Sequence, residues 1–378
     1  MINSNVPSSG ISEFDKPMIA VNNYSHSSTF HDLYVTGSSI GNSNAILASH
    51  SSNGGATWDP PTTLASYGQA GEIAIRTNGS VYVFFVGNTG SNVLEYCWLA
   101  AGQTNWSSPQ ILNAHSNSVG LNSRTGDYGS GQLLRETNGD PNDYLDSNAF
   151  PHSAVNPLNN RVYLTYADLP FVGSTNDRGD IFIQEAIPNT DDSLYASNWS
   201  GEIKVNNDRT ATDQWNPAVA VNPSGTEVLV GYYSRQPHPN SNDVVVAYGA
   251  KANISNGLAG ATFDTFQIST TPFYILYAGT TNSSPPSEPW LFDSVWPQEG
   301  VYFDTNAVVV AAGSSNAVAF SSAADYSHFC ADDYTWAVAD PSYFYYAWCD
   351  RSDLCTNVWL GTNYTRPDPN IRLGKIRQ

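Results

Sequence analysis

The chain has 378 residues, 40% hydrophobic and only 13% charged, a balance that excludes a disordered chain. Its 34 acidic residues outnumber 15 basic ones, giving a net charge of −19 without a Lys/Arg cluster, so neither nucleic acid nor an anionic membrane is an expected partner. No apolar run is long enough to cross a bilayer, so membrane insertion is not expected either.

The first residues, Met1-Ile-Asn-Ser-Asn-Val-Pro7, lack the basic start and apolar stretch of a signal peptide. Residues 1–13 read as a tail or closing strand, and 14–378 as one domain. Aromatics reach 12%, and Gly, Pro, Ser and Asn are abundant, which suits many short strands joined by turns. From Pro17 onward a segment recurs: Pro-x-x-Ala-Val, a turn, then an alternating apolar strand. Its copies begin with Pro17-Met-Ile-Ala-Val21, Gly71-Glu-Ile-Ala-Ile75, Pro151-His-Ser-Ala-Val155, Pro217-Ala-Val-Ala-Val221, Pro297-Gln-Glu-Gly-Val301 and Tyr334-Thr-Trp-Ala-Val338. Each leads through Asn, Asp, Pro or Gly into a second strand such as Ser80-Val-Tyr-Val-Phe-Phe85 or Glu227-Val-Leu-Val-Gly-Tyr-Tyr233, the signature of a hairpin. Six starts predict an all-β, six-bladed β-propeller of four-stranded antiparallel blades, with seven blades as the alternative.

A second motif follows in each unit. Ser51-Ser-Asn-Gly-Gly-Ala-Thr-Trp58 matches the Asp-box pattern Ser-x-Asp-x-Gly-x-Thr-Trp, with Asn53 in the Asp place. Asn256-Gly-Leu-Ala-Gly-Ala-Thr-Phe263, Gln103-Thr-Asn-Trp106 and Ala196-Ser-Asn-Trp199 are shorter versions. The distance from the first motif to the aromatic is 41, 35, 48 and 46 residues in four successive units. Such a motif is a folding element: a tight turn between third and fourth strands, held by side chain to backbone hydrogen bonds.

The coupled repeats, with strand ends such as Tyr232-Tyr-Ser-Arg235 and Trp348-Cys-Asp-Arg351, make the chain resemble the sialidase-like superfamily of Asp-box propellers over most of residues 14–362. In that superfamily, true sialidases carry Phe-Arg-Ile-Pro, whose Arg helps to hold a sugar carboxylate. Here Phe14-Asp-Lys-Pro17 puts Asp15 in the Arg place, where it repels an anion. Lys16 substitutes only in part, because an ammonium lacks the bidentate fork. The resemblance therefore implies the frame and not the sialidase activity.

In such a propeller the inner strands start around the axis on one face, opposite the third-to-fourth turns. Asp15, Asp146, Asp213, Asp293 and Asp333 each lie just before an inner strand, accompanied by Phe14, Phe150, Trp215, Trp296 and Tyr334. Acids beside flat rings suit sugar chemistry, with carboxylates as acid, base or nucleophile and rings stacking on C–H faces. Asp15, Asp213 and Asp293 are catalytic candidates. Glu72 and Glu299 join them because, like His152, they depart from the repeat at an early inner-strand position. His152, Trp215, Trp296, Tyr334, Arg235 and Arg351 are candidate substrate contacts. Equally, the Asp residues suit capping or ties between blades, and the two Arg suit pairing with a neighbouring blade's Asp.

Asp140, Asp143 and Asp146, in an oxygen-rich loop, are candidates for a structural calcium, although the spacing is not that of an EF-hand; no cofactor is required. Asp127-Tyr-Gly-Ser-Gly131 reads as part of a lid. Cys349 and Cys355 bracket five residues between two strand-like runs, so a hairpin there would join them in a disulfide. Cys97 and Cys330 form a second bridge or remain two buried thiols. The reading is a secreted or extracytoplasmic monomer with seven Asn-x-Ser/Thr sequons. Its expected function is that of a glycoside hydrolase with a carboxylate-lined axial site for a glycan or polysaccharide. The alternatives are a non-catalytic carbohydrate-binding propeller (lectin, adhesin or surface component) and a polysaccharide lyase using His152 or Tyr334.

Overall fold

The computed structural model describes residues 14–39, 44–87, 93–112, 150–168, 179–208, 212–236, 244–274, 335–359 and 362–378, with short strands at 134–135, 144–146, 308–310, 317–319 and 329–330. These residues form an all-β fold. β1 (Phe14–Val21), β2 (Leu33–Ser39), β3 (Ala45–Ser51) and β4 (Thr62–Ala65) make a four-stranded antiparallel meander. β5 (Gly68–Ile75), β6 (Val81–Gly87), β7 (Val93–Leu99) and β8 (Gln110–Ile111) make the second. β9 (Leu134–Arg135) and β10 (Tyr144–Asp146) are short. The third meander holds β11 (His152–Val155), β12 (Val162–Asp168), β13 (Asp180–Ala186) and β14 (Ile203–Lys204). The fourth holds β15 (Gln214–Val221), β16 (Glu227–Ser234), β17 (Val244–Asn253) and β18 (Asp264–Gln267), with β19 (Phe273–Tyr274) also on β17. β20 (Val308–Val310) pairs with β21 (Ala317–Ala319), and β22 (Phe329–Cys330) runs parallel to β10. β23 (Trp336–Ala339), β24 (Tyr343–Trp359) and β25 (Thr362–Arg377) close the series.

Five of the six repeat copies thus begin a sheet, and the copy at Pro297 lies outside the described residues, as do residues 1–13 and the lid candidate Asp127–Gly131. First strands pack side by side in sequence order, β1 on β5, β5 on β11, β11 on β15 and β15 on β23, which is the arrangement of a propeller around its axis. Second strands lie between neighbouring sheets, so β6 and β12 are buried along their whole length. That explains why their sequences read as nearly unbroken apolar runs instead of alternating ones. Tyr82, Tyr163, Tyr232 and Tyr346 are fully buried in this core, each ring worth roughly 1.5–3 kcal/mol of transfer energy. Gly231 lets two sheets approach, since a Cβ there would sit 2.2 Å from the Tyr346 ring.

The ends of the sheets away from the first-strand starts are tied by polar groups. In the Ser51–Trp58 turn between β3 and β4, Ser51 Oγ accepts the Gly55 N–H at 2.9 Å and Asn53 Oδ1 accepts the Thr57 N–H at 2.8 Å. Gly54 and Gly55 take φ of +68° and +86°, values that favour glycine. The segments ending at Trp106, Trp199 and Phe263 occupy the same place, between third and fourth strands. Asp192, in the third sheet, joins the second sheet through Arg76 Nη1 at 2.5 Å, Asn78 Nδ2 at 2.7 Å and the Ala101 N–H at 3.3 Å. Glu185 pairs with Arg161 and accepts the Leu258 N–H of the fourth sheet at 2.8 Å.

The cysteine expectation is corrected. Cys349 and Cys355 are not at the two ends of a turn; both lie within β24, opposite Ile371 and Arg366 of β25. At ~3.3 Å per residue their Cα atoms are roughly 20 Å apart, far beyond disulfide reach. Cys97 is a buried free thiol, pushed up to about 12 by its burial. No helix among the described residues is long and apolar enough to cross a membrane.

Removing one partner of a buried ion pair leaves the other charge uncompensated. Asp192→Ala is expected to cost about 3 kcal/mol, read as a lowered midpoint in chemical denaturation.

Candidate functional site

The starts of the five described first strands meet around one cavity of about 50 Å³. β1 contributes Lys16 and Met18, β5 Ala70 and Glu72, and the third sheet Phe150, Pro151 and His152. Asn216 and Pro217 of β15 and Thr335 and Trp336 at β23 complete the lining.

A shared backbone device builds this wall. β1, β5 and β15 each carry one extra residue relative to the partner strand, between Asp15 and Met18, Gln69 and Glu72, and Trp215 and Ala218. Such a bulge re-aims the side chains that follow it. Its inner residue is left-handed in all three: Lys16 at φ +51°, Ala70 at +54° and Asn216 at +47°. For alanine this costs about 1–2 kcal/mol. Thr335 Oγ1 donates to the Asn216 carbonyl at 2.9 Å and ties β23 to the β15 bulge.

Glu72 and His152 occupy the same repeat position on neighbouring strands and face one another. Glu72 is buried and Oε1 accepts from Ser153 N–H at 3.4 Å and Ser153 Oγ at 3.3 Å. Burial outweighs these bonds and pushes its carboxyl up to about 8, so it is protonated at neutral pH. His152 Nδ1 accepts the Val219 N–H at 3.4 Å, which puts the ring proton on Nε2. That Nε2 is buried and has no hydrogen-bond partner, an arrangement that costs about 1–3 kcal/mol. Burial also pulls His152 down to about 4, leaving it neutral. The 3.9 Å approach of His152 Nδ1 to Glu72 Oε1 is therefore a contact between an uncharged acid and an uncharged ring, not an ion pair.

Of the residues expected to act, the structure brings Glu72 and His152 together at the cavity. Asp15 sits beside it and accepts the Lys16 N–H at 2.9 Å. Asp213, Trp215 and Arg235 come together elsewhere. Arg235 Nη1 pairs with Asp213 Oδ2 at 3.0 Å, with both side chains buried, and lies 5.3 Å from the centre of the Trp215 ring. Trp215 is fully buried, so it packs inside the sheets instead of offering a face to a sugar. This pairing of Arg235 is with the Asp that precedes the first strand of its own sheet. Asp293, Trp296, Glu299, Tyr334, Asp140 and Asp143 lie outside the described residues, as do the side chains of Asp146, Arg351 and Cys355. Among the described residues, no group of three or more His, Cys, Asp or Glu could hold a metal ion.

Sequence reasoning did not single out Asn216 or Trp336 as site residues. Trp336 had a weak signal: it stands where the other copies carry Ile19, Ile73, Ser153, Val219 and Glu299, and it is the one aromatic among them. It is 41% exposed at the cavity and meets the His152 ring edge-on at 4.7 Å.

No family model matches the chain, and no curated protein sequence does. Among solved structures it is similar to the leech intramolecular trans-sialidase, with 13% identity and a TM-score of 0.35, covering 67% of this chain and 32% of that one. It is also similar to an ulvan lyase, with 9% identity, a TM-score of 0.40 and coverage of 94% and 69%. An α-L-arabinofuranosidase of Fusarium graminearum shows 12% identity, a TM-score of 0.40 and coverage of 72% and 70%. The chain spans about a third of the leech enzyme's length.

The proton inventory makes a stability prediction. The Glu72 contribution is full below its ordinary value of 4.5 and lost as pH rises through about 8. The His152 contribution is full above 6.5 and lost as pH falls through about 4. Glu72→Gln keeps the shape and cannot ionise, so thermal melts between pH 4.5 and 8 should fall less steeply with rising pH than those of the wild type.

Proposed function

We propose that this propeller is a carbohydrate-active enzyme that cleaves a glycosidic bond, with Glu72 as the proton donor. The observation that carries the reading is a buried carboxyl, raised to about 8, lining the cavity where the five described first strands begin. A leaving sugar oxygen needs a proton as its bond breaks, and a carboxyl still protonated at neutral pH supplies one. Ser153 fixes the carboxyl by holding Oε1. Hydrolysis also needs a second carboxylate, and Asp293 and Glu299 are our candidates for it. The substrate we propose is a glycan or polysaccharide met outside the cytoplasm.

Elimination by a lyase needs a base at the sugar carbon. His152 has its Nδ1 lone pair engaged by Val219 and turns a donor to its surroundings, which favours hydrolysis over elimination.

A panel of polysaccharides and aryl glycosides tests the proposal. Activity should hold from neutral pH to about 8 and fall above it as Glu72 ionises. Glu72→Gln should lower kcat by about 10²–10⁴ on poor leaving groups and far less on nitrophenolate, which needs no proton. An equal loss on both would remove Glu72 from the role of acid.

A further inference from the structure

We infer that Trp336 is a positioning residue for the proton: packed edge-on against His152, it keeps water off that ring, so the proton of the Glu72–His152 pair stays on the carboxyl and not on the imidazole. The purpose of this shield rests on the proposed role of Glu72 as the acid, but the proton can be followed without a substrate.

The contacts run in one line. The Trp336 ring meets the His152 ring at 4.7 Å and 80°, and His152 Nδ1 lies 3.9 Å from Glu72 Oε1. Trp336 is 41% exposed, His152 8% and Glu72 5%, so contact with water falls off along the line. Thr335 anchors the residue before the indole to β15. Burial alone pulls His152 down, and in Glu72 burial outweighs the two bonds from Ser153. Lys16 of β1 lines the cavity with Asp15 beside it, and β6 sets Phe84 opposite Glu72. β15 and β23 line it with the uncharged Asn216, Pro217, Thr335 and Trp336. The titratable groups of β2 and β3, Tyr34 and His50, stack on each other at the turn end. A small side chain in place of the indole lets water reach the imidazole, which then becomes the better base. The Glu72 O–H bond breaks and an N–H bond forms at His152 Nδ1, whose present partner is the Val219 N–H at 3.4 Å. The result is a carboxylate beside an imidazolium, and Glu72 has no proton left for a leaving oxygen.

Nitrogen NMR of the full chain with labelled histidine reads the imidazole directly, and His152→Gln identifies its signals among the seven histidines. Wild-type His152 should keep one N–H and one bare nitrogen down to about 4. In Trp336→Ala the midpoint should rise from about 4 toward 6.5. Trp336→Phe keeps an aromatic edge on the ring and should keep the neutral pattern. Trp336→Val, which suits a strand, should shift like the alanine variant and replaces it if that one does not fold. On aryl glycosides with poor leaving groups, the alkaline limb of kcat near 8 should move to lower pH in Trp336→Ala. The loss at neutral pH should be about tenfold, be restored on acidification and leave KM little changed, whereas a structural defect lowers kcat at every pH. An unchanged His152 midpoint in the Ala or Val variant overturns the inference, and wild-type turnover then leaves the proposed hydrolase standing. A shifted midpoint without turnover of any glycan upholds the placement of the proton and removes the hydrolase.

Discussion

The arrangement of the cavity depends on one extra residue in each of three inner strands. Side chains on a strand alternate with period two, so a single inserted residue exchanges the faces of everything beyond it. In β5 that insertion falls between Gln69 and Glu72, and it decides that Glu72 points to the axis while Ile73 packs outward. The cost is a left-handed Ala70, a conformation alanine avoids. Lys16 and Asn216 repeat it in β1 and β15, so the strain belongs to the frame and not to one active residue. Asn tolerates this conformation better than Ala or Lys.

Once the bulge has turned Glu72 inward, desolvation determines its chemistry. No cation is needed to set the proton inventory: removing water raises a carboxyl and lowers an imidazole, and the two neighbours end up neutral for the same reason. The Asp213–Arg235 pair is the contrasting outcome a few residues away. There a buried acid meets a buried guanidinium, and a pair of that kind serves architecture better than proton transfer, since each charge holds the other in place.

Much of this was legible in the sequence. Hairpins announced themselves through Asn-Gly and Asn-Pro-Ser-Gly turns between apolar runs, and the coupled spacing of two motifs marked the sheets. Glu72 and His152 stood out because a repeat makes its exceptions visible, whereas Trp336 falls at a position that already varies from copy to copy. What misled was proximity that only pairing reveals. Asp213 and Arg235 are 22 residues apart, yet Gln214 sits opposite Ser234, so the residues flanking that pair are neighbours. The stretch between Cys349 and Cys355 looked like a turn because Asp350-Arg-Ser-Asp-Leu354 forms a break between two strand-like runs. The strand instead absorbs the break as an irregularity between Asp350 and Asp353 and continues.

The two ends of the sheets divide the work physically. At the turn end, Asn53, Asp192 and Glu185 each accept from several backbone or side-chain donors, and Asp192 and Glu185 fasten neighbouring sheets to one another. At the axial end the opposite holds: the residues lining one small cavity include a strained alanine, a histidine with a buried, unpartnered N–H and a protonated acid. None of these would persist in a loosely held frame, because the chain would relax the bulge or admit water to the donor. A cavity lined by such strained and unpartnered groups therefore depends on the over-determined far end, where Asp192 and Glu185 hold the sheets together.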